Sequence, residues 1–113
     1  MGIVQLMETL KLFSFEGNQV RIVIGEDGNP LFVASDVAKV LGYNKPENAI
    51  SRHCDDTLKR GVTNRTGRKQ LTIVIPESDV YNLIFGSKMP NAKKFKRWVA
   101  KKVLPSTRKT GMN

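Results

Sequence analysis

Apolar residues recur at two different spacings along this chain, and the spacing changes near Val33. Upstream, Val20, Ile22 and Ile24 alternate with Gln19, Arg21 and Val23, the period of a half-buried strand. Leu10 to Phe15 alternates more loosely and predicts a strand before it. The turn signal Gly17-Asn18 lies between them, so the pair predicts a hairpin. A second turn is expected over Glu26 to Pro30, centred on Asp27-Gly28, and it leads into a short strand at Leu31 to Val33. Further on, Thr57 to Gly61 and Gln70 to Ile75 predict two more strands around a turn pivoting on Gly67.

Between the strands the period becomes helical. Val37, Val40 and Leu41 fall at i, i+3 and i+4. Ser35 is placed to cap this helix with its hydroxyl, and Asp36 to face the positive end of its dipole. Gly42 follows the last apolar residue, where a left-handed stop costs least. Pro46 opens a second helix, in which Ala49, Ile50 and His53 share a face. The two helices form a helix-turn-helix-like pair with a longer turn than the tightest forms, and the outer face of the second is free for a DNA groove.

A third helix starts at Pro76, carries Glu77 and Asp79 in its first turn, and ends at Gly86. Val80, Tyr81, Leu83, Ile84 and Phe85 make it a core helix by composition. A fourth is expected from about Ala92 to Leu104, capped by Asn91 and stopped by Pro105. At 100° per residue, Ala92, Phe95, Trp98, Val99 and Val103 gather on one arc. Lys93, Lys94, Lys96, Arg97 and Lys101 gather on the other, while Lys102 falls inside the apolar arc and is expected to snorkel. The predicted fold class is α+β: a small antiparallel sheet of hairpins with about four short helices.

Charge sharpens this picture. All ten acidic residues lie at or before Asp79, and ten basic residues offset them there; the formal +9 arises entirely beyond that point. A one-sided positive field attracts polyanions. A second basic stretch runs from Thr57 to Pro76, where Lys59, Arg60, Arg65, Arg68 and Lys69 occur without an acid. A basic hairpin of this kind can lie along a phosphate backbone or enter a minor groove. A solvated face and a solvated hairpin tip are the plainer alternatives for these two stretches.

Catalysis finds little support. One His and one Cys cannot make a zinc site of the usual ligand count. His53 and Cys54 are adjacent on a helix, so their side chains diverge instead of forming a nucleophile–base pair. Asp55-Asp56 lacks further acids at ligand spacing and reads as the close of a helix or turn. No phosphate-binding glycine loop is present. No enzyme activity, cofactor, metal or membrane contact is therefore expected, and a single cysteine fits a reducing, cytoplasmic setting.

Three blocks carry a family resemblance. They are Phe32-Val-Ala-Ser-Asp-Val-Ala-Lys-Val-Leu-Gly-Tyr43 with the Pro46 to His53 segment, Lys94-Phe-Lys-Arg-Trp-Val99, and Val103-Leu-Pro-Ser106 with Arg108-Lys-Thr-Gly111. Together they resemble the Bro family N-terminal domain of phage antirepressors and DNA-virus Bro proteins, over residues 10 to 111. The resemblance implies a small α+β DNA-binding domain, usually followed by a separate C-terminal module. On that basis residues 1–9 are expected to be an N-terminal extension, 10–105 the DNA-binding domain, and 106–113 the start of a linker to a module beyond this chain. Met7 is a second candidate start, which would make Met1 to Leu6 a vector remnant.

The expected function is that of a DNA-binding domain in a phage or prophage antirepressor-type transcriptional regulator, inside a bacterial host cell. Its partner would be double-stranded DNA. Lys45, Asn48, Ser51 and Arg52 would serve on the second helix, and Lys59, Arg60, Arg65, Arg68 and Lys69 on the hairpin. Lys93, Lys94, Lys96, Arg97 and Lys101 would serve on the last helix. Asn and Arg can make bidentate contacts to purines, whereas Lys and Ser mostly fix position. The alternative is a protein-interaction module that binds a phage repressor without touching DNA. Assembly as a homo-oligomer is compatible with either.

Overall fold

In the computed structural model, residues 9–25, 27–64 and 66–107 are described. The expected extension up to residue 8 and the 108–113 segment lie outside them. The chain runs β1 (Thr9–Phe15), β2 (Asn18–Ile24), β3 (Pro30–Val33), α1 (Ala34–Val40), α2 (Pro46–His53), β4 (Leu58–Thr63), β5 (Lys69–Ile75), α3 (Glu77–Gly86) and α4 (Ala92–Trp98). A π-helical turn (Val99–Val103) and α5 (Leu104–Thr107) then continue α4 as one rod.

The five strands form one antiparallel sheet in the order β1-β2-β3-β5-β4. Glu16 and Gly17 both take positive φ, 49° and 82°, so β1 and β2 meet in the mirror-image turn that matches strand twist. Register sorts the side chains. Phe32 faces Ile22 on one side and Ile75 on the other, and these three join Phe15 and Val20 under the helices. Val37 and Val40 of α1, Ala49 and Ile50 of α2, Val80 and Leu83 of α3, and Phe95, Val99 and Val103 of the last rod complete that core. Each large side chain removed from water there contributes about 1.5–3 kcal/mol. The opposite face holds a smaller cluster of Val23, Val33, Val62 and Val74, with Leu10 and Leu31 against it. Helices thus cover one face of the sheet, and the β4–β5 hairpin curls back over the other.

Several expectations give way to longer-range contacts. Ser35 does not cap α1: the helix begins at Ala34, and Val33 occupies the cap position with no side-chain bond. Val33 is still paired with Val74 in the sheet, so the strand passes directly into the helix and leaves no loop residue to cap it. β2 loses its β3 neighbour beyond Ile22 for the same reason. Asp36 fills that gap, accepting the Arg21 backbone N–H at 2.9 Å and the guanidinium at 2.8 and 2.9 Å. Asn91 occupies the cap position of α4, but its amide is diverted to Glu16 at 3.1 Å.

Pro105 does not end the last helix, which continues to Thr107. The wide turn before it bonds the Leu104 N–H to the Val99 carbonyl, five residues back. Such a turn moves the Lys101 carbonyl away from the proline ring, relieving the usual clash. It also shifts the angular register, and Lys102, expected to snorkel from the apolar arc, is exposed. Phe85 is not a core residue either: it is 92% exposed, whereas Val80 and Leu83 on the inner side of α3 are fully buried.

Candidate nucleic-acid interface

The first candidate element is α2. Pro46 stands at its first turn, and Ala49 and Ile50 are buried against the neighbouring helices. Asn48, Ser51 and Arg52, at i, i+3 and i+4, therefore form one outward stripe, and all three are exposed. Lys45 is exposed just before the helix; Glu47 lies beside the stripe and makes the face mixed in sign. The rear of α2 is seated on α3. His53 packs on the Tyr43 ring at 5.8 Å, and the Tyr43 hydroxyl donates to the Leu83 carbonyl at 2.8 Å. A Cβ on Gly86 would fall 2.8 Å from both His53 and Tyr43, so a glycine is what lets the two helices close at this point. Asp79 secures the exit from α2. Its buried carboxylate accepts the Asp55 and Asp56 backbone N–H groups at 3.0 and 2.8 Å. The two acids thus close a turn, as their sequence pattern implied.

The second element is the β4–β5 hairpin. Lys59, Arg68 and Lys69 are exposed, Arg60 is half-buried, and Arg65 lies outside the described residues. Arg60 stands on the opposite face of the hairpin from Lys59 and donates to the Lys59 carbonyl at 3.1 Å. The Asp27 carboxyl is held below its usual range, first by the Asn29 backbone N–H and amide, and to a lesser degree by Arg60. Arg60 is therefore partly committed to the protein. At the tip, Asn64 Oδ1 accepts the Thr66 N–H, the Thr66 hydroxyl and the Arg68 N–H at 2.8–3.0 Å. These bonds hold the turn in shape.

The third element is α4 with the π-helical turn. Lys93, Lys94, Lys96, Arg97 and Lys101 are all exposed, while Phe95 and Val99 are fully buried. Phe95, Trp98, Phe13 and Phe15 form the aromatic contact that fixes the rod on β1, with ring centres 5.1–6.2 Å apart. Among the described residues, Lys94 of these five has an acidic partner: it reaches Glu16 at 3.3 Å. The Asn91 amide, and after it Lys94, lowers the Glu16 carboxyl.

The three elements sit in different parts of the fold. α2 and α4 both pack on α3 in the helical layer. The hairpin curls over the far face of the sheet, where Thr63 and Asn64 share an open hollow with Leu10 and Leu12 of β1. Lys88 and Lys102 are further exposed cations outside the set named from sequence. A constant 100° per residue put Lys102 inside the apolar arc with its head snorkelling to water, and its exposure agrees with that.

Other chemistry is weakly supplied among the described residues. Burial, helped by Asp79 and Asp55, pushes the Cys54 thiol up to about 12, so at neutral pH it carries almost no nucleophilic thiolate. No helix there is long and apolar enough to cross a membrane.

The sequence model of the BRO family N-terminal domain matches residues 19–105. A protein of Haemophilus influenzae is 35% identical over 101 residues, which cover 88% of this chain and 50% of that protein. The Bro-N domain-containing protein 289L of Invertebrate iridescent virus 6 is 30% identical over 118 residues, 88% of this chain and 28% of its own length. The Bro-N domain-containing protein ORF2 of Autographa californica nuclear polyhedrosis virus is 31% identical over 109 residues, 81% and 33% of the two chains. The chain thus spans between about a quarter and half of the length of these curated relatives. No solved structure matches it significantly.

Proposed function

The chain belongs to the BRO family through its N-terminal domain, and from that premise we propose that it binds double-stranded DNA as part of a phage- or prophage-type transcriptional regulator of antirepressor kind. The observation that carries this reading is the outer face of the last helix. Its cations are exposed on one side of a rod whose other side is fixed in the core, and no acidic residue follows Asp79 in the sequence. Such a face neutralises phosphates and releases their counterions. α2 supplies the groups for base recognition, because Asn48 and Arg52 share its exposed stripe.

Salt dependence tests this directly. With about five phosphates neutralised, log K for a duplex should fall against log salt with a slope near −4 to −5. Binding indifferent to salt would remove the electrostatic basis of the proposal.

Reading of bases is a separate expectation. After selection of a preferred sequence from a random duplex pool, Arg52→Ala should cost about 1–3 kcal/mol on that sequence and little on random DNA. An equal loss on both would make Arg52 a phosphate contact only. The opposite assignment, a module that binds a repressor protein, is favoured by one observation. Phe85 and Met89 are both exposed, 92% and 40%, and exposed apolar groups of this kind suit a protein partner. Absence of salt-dependent DNA binding together with repressor capture that Phe85→Ala abolishes would select it.

A further inference from the structure

The β4–β5 hairpin carries a feature that phosphate binding does not require. Its strands pair Lys59 with Ile73, Gly61 with Leu71 and Thr63 with Lys69. Alternation places all six on one face, opposite the face of Val62 and Val74. Val62 and Val74 are buried in the second cluster, so this side anchors the hairpin on the domain. The other side is outward, and there Leu71 is 69% exposed and Ile73 38%. β5 pairs with β3 only at Val74 and Ile75. From Ile73 toward the tip, β5 has no β3 partner, and the outward face of the curled hairpin holds two apolar side chains in water.

The immediate surroundings of Leu71 are specific. Across the ladder stands Gly61, which has no side chain to support it. The aliphatic part of Lys69 lies over that glycine, its Cδ 3.5 Å from where a Cβ would sit. Lys59 flanks Ile73 from the opposite strand. The outward face is therefore an apolar ridge with an ammonium group toward each end, and the chain from Thr57 to Pro76 holds no acid. A second copy of the same face would bring these cations together, which opposes self-association. A polyanion with an apolar interior reached through a groove fits both halves of the pattern.

We propose that Leu71, backed by Ile73, is a wedge that enters the minor groove of duplex DNA and kinks it, with Lys59 and Lys69 on the phosphates to either side. Apolar side chains inserted between base steps unstack them and bend the duplex toward the major groove. The Asn64-organised tip and the buried Val62 hold the ridge in place, so little ordering is left to occur on binding. Flexible pyrimidine–purine steps such as TA deform most easily and are the expected site of insertion. The proposal rests on the DNA-binding reading above and adds a deformation to it.

The test uses the whole chain with end-labelled duplexes about 30 base pairs long, one with a central TA step and one with an A-tract. Energy transfer between the ends reads the bend, and anisotropy at several salt concentrations reads binding. The expected result is a bend of about 20° or more on the TA duplex, lost in Leu71→Ala while the salt slope stays as in the parent chain. Leu71→Ala removes an exposed side chain, and its circular dichroism should match the parent. Salt-dependent binding without a bend, or a bend that survives Leu71→Ala and Leu71→Ala with Ile73→Ala, overturns the wedge and leaves the DNA-binding reading standing. Absence of salt-dependent binding overturns both. Concentration-dependent self-association in sedimentation that Leu71→Ala abolishes would assign the ridge to a second copy and also overturn the wedge.

Discussion

A variant with Lys93, Lys96, Arg97 and Lys101 replaced by alanine is expected to bind duplex DNA about a thousandfold more weakly at 0.1 M salt. The estimate follows from counterion release. Each neutralised phosphate contributes about 0.9 to the slope of log K against log salt. Between 1 M and 0.1 M salt, four of them are therefore worth between three and four decades by the same rule. The salt slope should flatten by about 3 to 4 units. Lys94 is left in place because Glu16 already holds its ammonium at 3.3 Å, which makes it the poorest phosphate ligand of the five. All four substituted side chains are exposed, and alanine is the best helix former, so the fold should be intact by circular dichroism and thermal melting. Unchanged affinity in such a folded variant would assign the helix face to solvent. It would also move the electrostatic site to α2 and the hairpin.

The largest effect on stability is expected at Asp79. This residue is 1% exposed, and its carboxylate accepts the Asp55 and Asp56 N–H groups and the Asn82 amide at 2.8–3.2 Å. It ties the end of α2, and the start of β4 behind it, to the first turn of α3. Hydrogen bonds to a charged group contribute about 1.5–3 kcal/mol each, and an orphaned donor adds its own desolvation cost. Some of that loss is regained because the turn lies near solvent, so Asp79→Ala should lower the unfolding free energy by about 3 kcal/mol. Urea denaturation with an unchanged m-value would read it. Asp55→Ala and Asp56→Ala should each change stability by less than about 0.5 kcal/mol, because only their backbones are used. A loss below about 1 kcal/mol at Asp79 would show that water can replace the carboxylate in this turn.

Both effects bear on the same question, which is how α2 is presented. The stripe of Asn48, Ser51 and Arg52 can read a groove only if the helix is held at a fixed angle. Three contacts hold it: Ala49 and Ile50 in the core, His53 against Tyr43 across Gly86, and Asp79 at the exit turn. Asp79→Ala should therefore loosen base discrimination more than nonspecific binding.

The sequence by itself determined the elements and their inner faces. The alternation of Val20, Ile22 and Ile24, the helical spacing of Val37, Val40 and Leu41, and the glycine and proline punctuation are local signals. β2, β3, α1 and α2 follow them to within a residue or two. The exposed cations of the last helix were legible for the same reason, since one turn of helix sorts them from Phe95 and Val99. What the tertiary structure alone decided depends on partners far apart in the chain. Asp36 serves Arg21 and not only its own helix, because β3 leaves the sheet early. Asn91 turns to Glu16, 75 residues away. Phe85 carries a core residue's composition but stands in water, because α3 buries only the side that meets the sheet and its neighbouring helices. Leu71 is exposed for a related reason: the hairpin curls, and burying Val62 on one face leaves the other without a cover. Local periodicity states which side chains share a face. Only the packing of distant segments states which of those faces is covered.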